Sequence, residues 1–107
     1  MPMNNYNVVL PELSFDWDDK KAILNQKKHR ISFSEARTAF ADENALLIYD
    51  PDHSDEEDRF VLMGLSLKLR IVVVSHGYRK AENVIRIISA RKATRREEGQ
   101  YWQRCYG

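Results

Sequence analysis

Four runs of strand character crowd the second half of this chain: "ALLIYD" (45–50), "RFVLMGLS" (59–66), "RIVVVSH" (70–76) and "NVIRIISA" (83–90). They are β-branched or apolar and of strand length, and only "PDHSDEED", "LKL" and "GYRKAE" divide them. A parallel pair needs a crossover of a dozen or more residues, which none of these intervals supplies. The four runs therefore have to form an antiparallel meander. Upstream the period is helical. Asp18 or Asp19 offers an N-cap to a helix reaching about Lys28, with Trp17 available over its first turn. In "ISFSEARTAF", Ser32 caps a second helix, Glu35 completes a capping box and Ile31 can staple onto Ala36. Thr94 and Glu97 form another box and open a short terminal helix through Tyr101 and Trp102, which Gly99 weakens by about 1 kcal/mol relative to alanine. Helices first and strands later give an α+β fold: two N-terminal helices packed on one face of a four-stranded antiparallel sheet, and a short C-terminal helix.

At 107 residues the chain is long enough for one such domain and too short for two. No run approaches the ~18 apolar residues of a membrane span, and "MPMNNYNVVLPELS" lacks the basic start and apolar centre of a signal peptide, so the expected location is cytoplasmic. The single cysteine, Cys105, cannot close an internal disulfide. His29, His53 and His76 offer no metal-ligand spacing, and no metal or cofactor is expected.

The net charge of +1 conceals a division. Residues 1–58 hold 6 Lys and Arg against 13 Asp and Glu, whereas residues 59–107 hold 11 against 3. Four of the six positions from Arg91 to Arg96 are basic, directly after a strand. Such an excess suits a phosphate-bearing ligand, because Lys and Arg neutralise phosphates and release counterions. Strand parity puts Arg70, Val72, Val74 and His76 on one side, and groups Arg86 with Val84, Ile88 and Ala90. An open face carrying Arg70, His76 and Arg86, rimmed by Arg91 and Lys92, would be a cationic floor. Each residue also has a plainer reading. Arg70 and His76 stand at strand ends, His29 can cap its helix terminus, and His53 sits in a turn. Arg95 and Arg96 can ride a solvated helix, and Tyr101 and Trp102 suit a core or partner contact as well as base stacking. The acidic stretch from Asp50 to Asp58 is either a landing place for a basic partner or a solvated loop.

Two long segments carry a resemblance. "FDWDDKKAILNQKKHRISFSEARTAFAD" and "RFVLMGLS…RIVVV…R…IRIISARKATRREEGQY" are similar to the N- and C-terminal signatures of the BrnT family of type II toxins, together over about residues 15–101. The matching positions include Trp17, Asn25, Lys28, His29, Glu35, Arg59, Arg70, Arg79, Arg86 and Arg91. Residues 1–14 form an extension before a single domain at 15–107, and Tyr78 stands where the family often carries a glutamate. The resemblance implies a RelE-like fold and a ribonuclease that arrests translation. It also implies neutralisation, in a joint oligomer, by a BrnA-type antitoxin whose own domain binds operator DNA. Metal-free RNA cleavage needs a base for the 2′-OH, cations on the phosphorane and an acid for the departing 5′-oxygen. On that reading Arg91 and Arg70 clamp the phosphate, His76 or His29 moves the proton and Lys28 adds a cation. Arg79, Arg86, Lys92 and Arg95 hold RNA. The competing expectation is a module that binds RNA or protein through the basic face without cutting.

Overall fold

The computed structural model describes residues 13–51 and 57–107, so most of the N-terminal extension and His53 lie outside the described residues. The chain forms β1 (Ser14–Asp16), α1 (Asp19–His29), α2 (Phe33–Thr38), a 3-10 turn (Ala39–Ala41), β2 (Leu46–Asp50), β3 (Asp58–Leu65), β4 (Ile71–Arg79), β5 (Val84–Lys92) and α3 (Arg95–Tyr106). The expected meander is present as β2 to β5. The sheet nevertheless has five strands in the order β1-β5-β4-β3-β2, and it is mixed. The added strand runs parallel to β5, with Ser14 opposite Val84 and Asp16 opposite Arg86. At three residues it is too short to announce itself, and its partner lies across two helices and three strands of sequence.

The helix starts follow local chemistry. Asp18 accepts the backbone N–H groups of Lys20 and Lys21. Ser32 accepts the N–H of Glu35, but the expected capping box does not close, because the Glu35 carboxylate is taken by Ser66 and Arg70. The box at α3 does close: Thr94 accepts from the N–H of Glu97, whose carboxylate accepts from the N–H of Thr94.

The sheet is covered on both faces rather than one. Against α1 and α2 lie Leu62, Val72, Val74, Ile85, Ile87 and Ala90, packed with Ile31, Phe33, Ala36 and Ala39. Against α3 lie Met63, Ile71, Val73 and Ala93 around the buried Tyr101. A β-bulge decides which residues of β5 join each face. Ser75 pairs with Ser89, yet His76 pairs with Ile87, leaving Ile88 as the extra residue of β5. Beyond the bulge the side-chain alternation is inverted. Ala90 therefore joins Ile85 and Ile87 on the α1/α2 face, contrary to simple parity, and Arg91 turns to the α3 face opposite Val73.

β1 covers only the first part of the outer edge of β5. Further along, the buried Asn25 of α1 takes the place of a neighbouring strand. Its amide donates to Ala90 O at 2.8 Å and to Ile31 O at 3.0 Å, and it accepts from the N–H of Ala90 at 3.1 Å. Among the described residues no helix is long and apolar enough to cross a membrane.

Candidate active site

On the α3 side of the sheet, cross-strand register produces successive rows. The row beneath α3 is Leu46, Met63, Val73 and Arg91; the next is Ile48, Val61, Ser75 and Ser89; past the bulge comes Asp50, Arg59, Gly77 and Arg86. The last row surrounds a carboxylate that the sequence reading passed over. Glu57, its side chain only 4% exposed, lies directly over Gly77, where an added Cβ would collide with its carboxyl group. Glycine is needed there because the carboxylate occupies the space of a side chain. Arg86 grips Glu57 through Nη2 and also through Nε at 3.4 Å, Arg79 Nε lies 3.2 Å away and Arg59 Nε 3.4 Å. The Arg86 hydrogen bond is the largest influence on Glu57, followed by the opposing cost of burial and then by Arg79, and the balance holds its carboxyl below the usual range.

Two clefts flank this cluster. One of about 320 Å³ is lined by Glu57, Asp58, Tyr78, Arg79, Lys80 and neighbouring turn residues. The other, about 220 Å³, is lined by Asp50, Arg59, Phe60, Ser75, His76, Ile88 and Ser89. Planar guanidinium groups beside a recess match the paired oxygens of a phosphate.

The residues singled out from sequence divide between the two ends of the strands. Arg79 and Arg86 meet at Glu57. Lys28, His29, Arg70, Arg91, Lys92 and Arg95 collect at the opposite end, where Arg70 Nη2 reaches Arg30 O at the close of α1 and the N–H of Ala93 reaches Ile71 O. Six residues of β4 separate the ends, roughly 20 Å at strand spacing. Arg70 is not on an open face. It makes a two-point bond with the buried Glu35, Nε to Oε2 at 2.7 Å and Nη2 to Oε1 at 2.6 Å, and Ser66 adds a third donor to the same carboxylate. Arg91 is likewise engaged, through both terminal nitrogens, by Glu97 at 2.8 and 2.9 Å, with its side chain 42% exposed. Lys28, Lys92 and Arg95 are exposed, and His29 is half-buried in the last turn of α1.

His76 is also off the open face. Its ring is stacked on Phe60, meets Phe40 edge-on, and is 3% exposed. Burial pushes its pKa down, and Nδ1 lies 3.1 Å from Val74 O, so the neutral ring carrying the Nδ1 proton satisfies that contact. Arg59 and Glu57 were the residues that sequence reasoning left out of the site. The signal available for them was the isolated glycine in "SHGYR", which sits inside β4 and not in the turn after it.

A bulged mixed sheet carrying helices on both faces, with arginines gathered at one end of its strands, is an architecture that a solved structure shares. The structure aligns with the crystal structure of the Brucella abortus ribonuclease toxin BrnT at a TM-score of 0.59 and 23% identity, covering 78% of this chain and 100% of that one. The family model for the ribonuclease toxin BrnT of type II toxin–antitoxin systems matches residues 17–97, and the chain belongs to that family. No curated protein matches the chain.

Proposed function

We propose that this chain is a metal-independent endoribonuclease whose cutting centre is the Glu57–Arg59–Arg79–Arg86 cluster. On this reading it inhibits translation by cleaving RNA and is neutralised by a BrnA-type antitoxin that carries a DNA-binding domain. The observation that carries the assignment is a buried carboxylate held by three arginines between two clefts. Family membership supplies the reaction class.

In the resting protein the arginines make Glu57 a weak base. A scissile phosphate that draws Arg79 and Arg86 onto its oxygens removes those donors, and the carboxylate then regains basicity beside the substrate. Glu57 takes the proton of the 2′-OH as the 2′-oxygen bonds to phosphorus. The arginines balance the charge of the phosphorane, the bond to the 5′-oxygen breaks, and water returns a proton to the departing oxygen. The products are a 2′,3′-cyclic phosphate and a 5′-hydroxyl. His76 has no part in this scheme, because a neutral ring bound to Val74 O is poorly disposed to donate. Lys28, Lys92, Arg95 and the half-exposed Arg91 serve RNA phosphates away from the cut, while Arg70 serves the fold.

The test is cleavage of RNA in EDTA by the parent chain, Glu57→Gln and Arg86→Ala, each checked for folding by circular dichroism. Loss of a positioned base should slow cutting by about 10²–10⁴-fold. A folded Glu57→Gln protein that cuts at the parent rate would overturn the assignment. Co-expression with the neighbouring reading frame tests neutralisation, with restored growth as the expected result.

A further inference from the structure

The outer face of α3 is not explained by packing. Tyr101 turns inward and is 2% exposed, but its neighbour Trp102 is 40% exposed and Tyr106 is 83% exposed. The two exposed rings stack on each other, with centroids 5.8 Å apart and planes at 12°. Arg95, Gly99, Trp102 and Tyr106 follow at spacings of four, three and four residues, so they share one helix face. Gly99 has no local reason to be glycine. Its φ is not positive, and an added Cβ would meet nothing within 4 Å. A mid-helix glycine there sacrifices helix stability and leaves a flat approach between an arginine and an aromatic pair. Lys92, Arg96 and Arg104 place further exposed positive charge on or beside this helix.

We propose that this face is a stacking platform for single-stranded RNA, separate from the cutting centre, with Trp102 and Tyr106 receiving base faces and Arg95 a backbone phosphate. The charge and the aromatic rings together select this ligand. Arginine alone would accept any polyanion, whereas exposed ring faces accept unpaired bases and not a duplex. Gly99 lets the strand lie close to the helix backbone. The proposal rests on RNA being the substrate, and it adds that the protein holds a stretch of strand beyond the nucleotides being cut.

The experiment uses the full chain and a 2′-O-methyl octauridylate, which binds but offers no 2′-OH to attack. The chain has two tryptophans, and Trp17 is partly buried against Phe33, so it serves as an internal reference for Trp102 emission. Stacking should quench the Trp102 component, and a Trp102→Phe variant should lose that quench. Trp102→Ala/Tyr106→Ala should weaken binding by about tenfold or more, the scale of lost base stacking. Gly99→Ala should raise thermal stability yet weaken the oligonucleotide, and a 2′-O-methyl duplex should bind far less well than the single strand. The proposal is overturned by saturating oligonucleotide without quench, by equal affinity for duplex and single strand, or by a double variant that binds RNA normally and loses only neutralisation by the antitoxin. That last result assigns the face to a protein. The quench does not depend on cutting, so retained cleavage by Glu57→Gln would sink the proposed centre while leaving this result standing.

Discussion

Replacing Arg70 separates a structural arginine from a phosphate clamp. Arg70 is 32% exposed along its side chain, while the Glu35 side chain it binds is 2% exposed. Arg70→Ala leaves that buried carboxylate with Ser66 as its remaining side-chain donor. Removing one member of a buried pair costs about 3–5 kcal/mol, and the partial exposure of Arg70 lowers the expectation to about 2–3 kcal/mol. At roughly 4–8 °C per kcal/mol for a domain near this size, the melting temperature should fall by about 10–20 °C. Arg70 is the main reason that the Glu35 carboxyl sits below its ordinary value, outweighing burial, with Ser66 helping. Because the folded pKa is lowered, this stability is fully present above the unfolded carboxylate range and is lost as pH falls through the folded value. The gap between parent and variant should therefore be widest near pH 7 and close as the solution becomes acidic. Adding Glu35→Gln to Arg70→Ala should recover much of the loss, since no buried charge is then left unpaired. Urea titrations at neutral and acidic pH measure both effects. A gap that does not change with pH, or a double variant no more stable than Arg70→Ala, would refute the reasoning. At a temperature where both are folded, Arg70→Ala should also cut RNA at about the parent rate.

Asn25→Ala should cost about 2–4 kcal/mol, because it strands both backbone groups of Ala90 and one bond of Ile31 O, and amide exchange at Ala90 should accelerate sharply. Gly77→Ala should displace the Glu57 carboxylate, so RNA cleavage should drop while circular dichroism keeps the parent sheet signal. The Glu97 carboxyl is pulled from 4.5 to about 2, chiefly by Arg91 and then by the N–H of Thr94. Its contribution is complete above the higher value and disappears as pH falls towards the lower one. With Arg91 partly exposed the amount is about 1 kcal/mol after solvent screening, so Glu97→Gln should flatten that part of the acid-unfolding curve.

What could be read from sequence was whatever is decided within a few residues. The caps at Asp18, Ser32 and Thr94 follow from side chains meeting nearby N–H groups, and the meander follows from the length of its intervals. The fate of Glu35 was not local: its box partner lost to donors 31 and 35 residues away. Alternation failed at one residue, Ile88, and every side chain after it was assigned to the wrong face. That error grouped Ala90 with Arg86 on the open face. Clustering the basic residues by sequence also merged two places about 20 Å apart, because position along a strand is invisible to a count of charges. Glu57 was hidden among five other acids in the stretch from Asp50 to Asp58, and only the strand opposite it shows why this one is buried.

The side chain of Asn25 has a consequence at the scale of assembly. A sheet with two accessible edges can add molecules at both, and such growth has no natural end. Here β1 and, beyond it, the Asn25 amide occupy the outer side of β5, so among the described residues the sheet is left with a three-residue edge strand at β1 and a five-residue one at β2, which exposes Leu47, Ile48 and Tyr49. A three-residue edge offers an incoming strand far fewer backbone groups than a five-residue one. The side chain of Asn25 thus leaves the two ends of the sheet unequal, with most of the edge backbone lying along β2.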